Sequence, residues 1–270
     1  MNIPVAPPQS LPLLHEQLGT VAILTLNRSE ARNSLSEAML TAFGEAFSAI
    51  SSDRSIRAVV IAAHGPAFCA GHDLKELTVR RADSDGGRAY FKQIMTACSA
   101  VMQMIVRLPQ PVIAAVEGVA TAAGCQMVAS CDLAIAARNA RFATPGVDIG
   151  LFCSTPMVAL SRNVSKKHAM EMLLTGEMVS AEDAVRMGLV NRLVEPGQAR
   201  AEALALANKI ASKAGAVVKL GKEAFYQQSE MGLAAAYSYT SEVMVENMMA
   251  GDANEGICAF LEKRPPTWES

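Results

Sequence analysis

PVIAAVEGVATAAGCQMVASCDLAIAA, residues 111–137, begins and ends in short apolar runs and passes between them through a stretch of Ala and Gly. PVIAAV (111–116) and DLAIAA (132–137) have the length and composition of strands buried on both faces. GVATAAGCQMVASC predicts a loop that becomes a short helix. Working outward, VAILTL (21–26) and RAVVIAA (57–63) predict further buried strands, the second ending at HGPAFCAGHDL, a Gly-containing loop. Ser34 and Glu37 stand at capping-box spacing before a helix that puts Leu35, Met39, Phe43, Phe47 and Ile50 on one face. A second amphipathic helix is predicted over 88–107 and is stopped by Leu108-Pro109-Gln110-Pro111. Strands alternating with helices predict α/β layering.

Beyond about 164 the pattern turns helical, with one short strand at LVNRLV (189–194) and a helix from about 197. The last segment is rich in Ala, Met and Glu, so the chain divides softly into a core of residues 1–200 and a helical region of 201–270. Residues 1–10 are Pro-rich and predict a loose segment. MNIPVAPPQSLPLL has neither a basic start before a long apolar run nor an arginine before position 28, and the expectation is a cytoplasmic protein. With 24 basic and 26 acidic residues the formal net charge is −2, which provides no global field for nucleic acid or an anionic membrane. An anionic ligand would have to be held by local groups. The six cysteines form no CxxC pair and sit mostly in apolar runs, the pattern of reduced, buried thiols; no two of the four histidines are spaced as metal ligands.

Six segments, in order along almost the whole chain, carry a resemblance: LTLNRSEARNSLS (24–36), AFCAGHDLKEL (67–77), residues 111–137, ARFATPGVDIGL (140–151), AMEMLLTGEMVSAEDAVRMGLVNRLV (169–194) and AFLEKRPPTW (259–268). Together they resemble the crotonase (enoyl-CoA hydratase/isomerase) superfamily. The resemblance implies a spiral of ββα units, a C-terminal helical trimerisation region, and assembly as a homotrimer or a dimer of trimers. It also implies an acyl-CoA thioester as ligand, with coenzyme A entering as part of the substrate and no permanently bound cofactor.

Stabilising a thioester enolate requires hydrogen-bond donors aimed at the carbonyl oxygen where charge grows, and one backbone donor contributes roughly 100- to 1000-fold in rate. The resemblance assigns this role to the N–H groups of His72, in Ala70-Gly71-His72-Asp73, and of Ala123, in Ala122-Ala123-Gly124-Cys125. The second segment opens a helix, whose free N–H groups and dipole favour an oxyanion. Read by themselves, both segments are also consistent with plain tight turns. CoA contacts fall by resemblance on Ala31, Arg32, Ala70, His72, Asp73, Leu74 and Lys75. Arg32 and Lys75 can meet phosphates or serve as solvated surface charges. Phe260 and Lys263 match a C-terminal helix that helps cover the nucleotide, sometimes from a neighbouring subunit.

One departure bears on the chemistry. Relatives that hydrate enoyl thioesters place two glutamates on one water; here Gln126 and Gly146 stand at those positions. Glutamine cannot accept a proton at neutral pH, and glycine has no side chain to offer. Since a general acid–base group contributes about 100- to 10,000-fold, ordinary hydration should be very weak. Isomerisation, decarboxylation, thioester cleavage or hydration of an unusual substrate demands less of such groups, and the alternative is a non-catalytic acyl-CoA-binding or scaffold protein. The His72 imidazole can border the acyl group as a proton carrier or be a neutral packing residue. Asp148 would share a face with Gly146 if that stretch is extended, or be a surface carboxylate. Ser154, between Cys153 and Thr155, aligns with a catalytic aspartate of some relatives and otherwise lines the acyl pocket; no base is visible for it.

Overall fold

A computed structural model describes residues 11–269; the Pro-rich segment 1–10 lies outside the described residues. The elements run β1 (Leu13–Leu18), β2 (Val21–Leu26), α1 (Glu37–Ser52), β3 (Ala58–Ala63), β4 (Ala67–Cys69), α2 (Leu74–Val79), α3 (Arg88–Arg107), β5 (Val112–Val116), β6 (Val119–Thr121), α4 (Ala123–Ser130), β7 (Leu133–Ala137) and β8 (Arg141–Ala143). There follow α5 (Pro156–Asn163), α6 (Lys166–Thr175), β9 (Val179–Ser180), α7 (Ala181–Met187), β10 (Arg192–Val194), α8 (Ala199–Ala211), α9 (Gly215–Gln228), α10 (Leu233–Met249) and α11 (Gly251–Glu262).

Three times the chain lays one strand in a large sheet, turns, lays a short strand in a small sheet and continues toward helix: β3 then β4, β5 then β6, β7 then β8. The large sheet has the order β1-β2-β3-β5-β7-β10 and the small one β4-β6-β8-β9. All pairings are parallel except β1 with β2 and β8 with β9. Repetition of this unit makes the chain a spiral of ββα turns, as the motif order implied. β2, β3, β5 and β7 lie where the apolar runs placed them, within one residue at each start, whereas β1 has no counterpart among the predicted strands.

Covered on both faces, the strands β2, β3, β5 and β7 have no polar alternation to display, whereas the edge strand β1 is largely exposed. On one side Leu24, Val59, Ile61 and Ala114 join Phe43 and Phe47 of α1. On the other, Val21, Ile23, Val60, Ile113 and Ile135 meet Ala199, Ala203, Ala207 and Ala211 of α8, an i, i+4 row of small side chains that lets the helix lie close to the sheet. A division at residue 200 therefore falls inside α8, a helix that belongs to the core; α9, α10 and α11 are the true helical extension.

A buried charge pair fastens that extension. Lys222 of α9 donates to Asp132 Oδ2 at 2.7 Å and to the carbonyls of Gln110 and Ile105 at 3.0 and 3.1 Å. Asp132 also accepts from Val112 N–H at 2.7 Å and from Tyr226 O–H at 2.9 Å. The Lys222 side chain is 7% exposed, and burial lowers its pKa against the opposing pull of Asp132. Lys222→Met should lower unfolding free energy by about 3–5 kcal/mol, because Asp132 is left as a buried, uncompensated carboxylate. A urea midpoint within error of the parent at unchanged m-value would contradict this.

Two local readings are corrected. Ser36, not Ser34, caps α1, its Oγ accepting the Met39 N–H at 3.2 Å, whereas Ser34 donates to Asp73. Residues 67–69, 119–121 and 141–143, which show no strand pattern in the sequence, are three of the four strands of the small sheet, Val179–Ser180 being the fourth. The cysteines are all free, five of them buried, as the apolar runs around them suggested. Among the described residues no helix is long and apolar enough to cross a membrane.

Candidate active site

The three parallel strands β4, β6 and β8 are neighbours, with Cys69 beside Ala120 and Thr121 beside Ala143. Chain segments leaving their carboxyl ends therefore emerge side by side along one edge of the small sheet. Those segments are Ala70–Asp73, Ala122–Ala123 and Thr144–Gly146. Residues far apart in sequence, two of them singled out as oxyanion donors and one as the position of a missing glutamate, are gathered by topology alone.

The first two touch. A Cβ built on Gly71 would stand 2.9 Å from Ala122 Cβ, 3.3 Å from Thr121 O and 3.5 Å from Ala123 N. Gly71 has φ +94°, so glycine is required there twice over, by conformation and by space. The second contact is closer still. A Cβ on Gly124 would fall 2.1 Å from the Cys69 carbonyl oxygen, so α4 approaches the end of β4 backbone to backbone.

Peptide planarity then aims the amides. The Gly71 carbonyl accepts the Leu35 N–H at 2.7 Å. In a trans peptide the following N–H points the opposite way, so the His72 N–H faces away from Leu35. Ala123 is the first residue of α4, where N–H groups have no intrahelical partner. Neither the His72 nor the Ala123 N–H donates to a backbone carbonyl among the described residues. The turn into α4 puts Ala122 at φ 50°, ψ −118°, a region that suits glycine better than alanine. Holding a methyl-bearing residue there stores on the order of 1–3 kcal/mol, and the strain falls at Ala122, leaving Ala123 free to begin the helix.

The His72 ring is largely buried, and neither nitrogen has a hydrogen-bond partner among the described residues. Burial depresses its pKa, so the imidazole is neutral at neutral pH. Asp73 is fully engaged: its carboxylate meets Arg28 at 3.0 Å and Ser34 Oγ at 3.3 Å and caps α2 by accepting Lys75 N–H at 3.1 Å. Burial would raise the Asp73 pKa, but Arg28 and the amides of Lys75 and Glu76 outweigh it and hold the carboxyl low. Its backbone is engaged too: the N–H donates to Leu35 O and the carbonyl accepts the Leu77 N–H, both at 3.2 Å.

Gln126 lies one turn along α4 from Ala123, 5% exposed, with Oε1 unpartnered among the described residues. Gly146 is buried, and the place a side chain would leave from is taken: Cys153 Sγ and Leu151 O would each stand 3.0 Å from its Cβ. Burial pushes the Cys153 thiol pKa up, against the pull of the Gly146 amide, and takes Cys69 and Cys125 to about 12. These are not thiolates at neutral pH. The stretch holding Asp148 is not extended: Pro145–Ile149 form a 3-10 turn, so residues 146 and 148 point in different directions. Asp148 is exposed, and its carboxylate lies about 3.0 Å from where Gly176 would carry a Cβ, at the C-terminus of α6. The shared face expected for Asp148 and Gly146 is thereby corrected.

Ala31 ends a 3-10 turn and Arg32 follows at φ 51° with its side chain exposed; Ala70 is half-buried, while Leu74, Lys75 and Ser154 are exposed. The Arg32 carbonyl accepts Ala70 N–H at 3.1 Å, which joins the two segments assigned to CoA. Phe260, 83% exposed, lies on α11 and Lys263 is its C-terminal cap. Sequence reasoning missed Asn33 and Leu35, whose only signal was their place inside LTLNRSEARNSLS. It also missed the pairing of Cys153 with Gly146, for which there was no signal.

A family model described as enoyl-CoA hydratase/isomerase matches residues 16–270. A rat protein named enoyl-CoA hydratase domain-containing protein 3, mitochondrial, is 45% identical over 97% of this chain and 87% of its own length. The crystal structure of the human protein of that name superposes with a TM-score of 0.90 at 46% identity, over 95% of this chain and 100% of that one. An enoyl-CoA hydratase structure from Mycobacterium smegmatis gives a TM-score of 0.91 at 54% identity, covering 96% and 99%. The cytoplasmic expectation does not stand against this: the rat and human relatives are named mitochondrial. With a matching model over nearly its whole length and relatives of this similarity, the chain belongs to the enoyl-CoA hydratase/isomerase family.

Proposed function

We propose that this protein binds an acyl-CoA thioester with the carbonyl oxygen between the N–H groups of His72 and Ala123, and stabilises the enolate there. The observation that carries the reading is the pair of amides without backbone acceptors, brought to one edge by β4 and β6 with Gly71 only a Cβ contact from Ala123 N. Names of relatives support the ligand class, among them a short-chain-enoyl-CoA hydratase of Clostridium acetobutylicum, 34% identical over 92% of this chain. Ala31, Arg32, Ala70, Leu74 and Lys75 would hold the CoA moiety, Ser154 would line the acyl end, and Phe260 and Lys263 would cover the nucleotide. Assembly as a homotrimer or dimer of trimers is part of the proposal, supported by apolar side chains such as Tyr237, Met244, Met249 and Leu261 exposed on the C-terminal helices.

The chemistry at this carbonyl is one that needs little acid–base help. Gln126 and Gly146 bring no carboxylate, the His72 imidazole is neutral, and burial keeps the Cys153 thiol beside Gly146 protonated. A second reading, binding without turnover, is favoured by the same fact. Calorimetric titration with butyryl-CoA and with S-butyl-CoA, its thioether lacking the carbonyl, tests the binding claim. The thioester should bind at least about tenfold more tightly, the value of one good hydrogen bond. Equal affinities would reject the amide pair. A panel of enoyl, β-keto and malonyl-type thioesters followed by mass spectrometry separates an enzyme from a binding protein.

A further inference from the structure

Asn33 is completely buried, and its side chain is hydrogen-bonded to three backbone groups. Its Oδ1 accepts the Arg28 N–H at 2.8 Å, and its Nδ2 donates to the carbonyls of His64 and Ala67, both at 2.8 Å. His64 follows β3 and Ala67 begins β4, so one carboxamide ties the 28–34 loop to the corner where the chain passes from the large sheet to the small one. Its backbone adopts φ 53°, which asparagine tolerates better than most side chains.

The loop so anchored acts as a template for the residues after β4. Arg32 O accepts Ala70 N–H at 3.1 Å, Leu35 N–H donates to Gly71 O at 2.7 Å, and Leu35 O accepts Asp73 N–H at 3.2 Å. These bonds alternate along 70–73 like a strand pairing, and Leu35 and His72 form a parallel bridge. The middle bond fixes the plane of the peptide joining Gly71 to His72. Glycine at 71 gives that plane little intrinsic preference, so its orientation comes from Leu35, and the place of Leu35 comes from Asn33.

We infer that Asn33 is a positioning residue for the oxyanion donor, acting through the Leu35 N–H···O=C Gly71 bond to aim the His72 amide. The inference rests on the acyl-CoA reading above. It predicts an effect largest at the carbonyl: weakening the relay lets the 71–72 peptide turn, and the thioester loses a donor that the thioether never used.

The test uses the full-length protein and the ratio of dissociation constants for S-butyl-CoA and butyryl-CoA. Two variants act at different points. Asn33→Asp keeps the size and the acceptor for Arg28 but removes the donors to His64 and Ala67. Replacing the residue-35 amide with an ester, by incorporating leucic acid, removes only the Leu35 N–H. The expected result is that the ratio falls by about tenfold in each, toward one, while in the ester variant, which keeps the Asn33 anchor, the thioether constant moves less than about twofold. If both ligands weaken equally, Asn33 is a fold-holding residue and the proposal is overturned. An unchanged ratio in folded variants overturns it too, and should Asn33→Asp fail to fold, the ester variant decides. A parent protein with no preference for the thioester would reject the acyl-CoA reading itself, a result visible before any variant is made.

Discussion

Gly124→Ala is expected to lower unfolding free energy by about 3 kcal/mol or more and to abolish the preference for thioester over thioether. No side chain can give way to admit this methyl: its nearest neighbour, at 2.1 Å, is the Cys69 carbonyl oxygen, followed by Cys69 C and Cβ at 2.8 Å. Relief requires α4 to move off the end of β4. That movement carries the Ala123 N–H away from the His72 N–H, and displacements near 1 Å at a positioned group cost on the order of 100-fold. Stability and carbonyl recognition should thus fail together. The control is Gly221→Ala in α9, where nothing stands within 4 Å of the new methyl and the substitution should stabilise by about 0.4–1 kcal/mol. Urea unfolding of both variants, with the thioester ratio measured on each, decides the matter. A Gly124→Ala protein of parental stability would mean that the helix does not pack on that carbonyl.

The contrast between these glycines shows what the sequence could and could not say. VAILTL, RAVVIAA, PVIAAV and DLAIAA are strands covered on both faces, and continuous burial writes itself into composition. The strands of the small sheet are three residues or fewer, too short for any period to register, and AFC before AGHD reads as loop. Yet these short strands bring the candidate site together, because parallel pairing of β4, β6 and β8 sets the segments after them side by side. The resemblance named His72, Ala123, Gln126 and Gly146 without showing how they meet. Asp148 failed for a local reason: a Pro at 145 starts a 3-10 turn, and the assumption of extended chain put the carboxylate on the wrong side. Asn33 was invisible because its importance lies in partners 31 and 34 residues away.

Restoring carboxylates at 126 and 146 should raise hydration of crotonyl-CoA by at least about 100-fold over the parent, but only when Cys153 is also made smaller. Sequence alone suggests that Gln126→Glu with Gly146→Glu is sufficient. The structure adds an obstacle: the Cys153 thiol stands 3.0 Å from where any Cβ on residue 146 must begin, with Leu151 O equally near and Cys153 N at 3.2 Å. A thiol can be removed, whereas the carbonyl and amide have to yield by a few tenths of an ångström in a loop whose flanking residues, Leu151 and Phe152, are exposed. Cys153→Ala therefore clears the flexible part of the blockade and leaves the backbone a small adjustment. The double variant without it should be poorly folded or hold the new carboxylate away from the acyl group, and should gain little. The triple variant should gain most, and Cys153→Ala alone nothing, since its raised pKa leaves the thiol no part in proton transfer. Initial rates on crotonyl-CoA, with melting curves to confirm folding, separate these outcomes. Equal rates for double and triple variants would show that Cys153 does not fill the glutamate position. A parent that already hydrates crotonyl-CoA at an ordinary enzymatic rate would overturn the argument from Gln126 and Gly146 at its root, because proton transfer would then have a source that neither residue supplies.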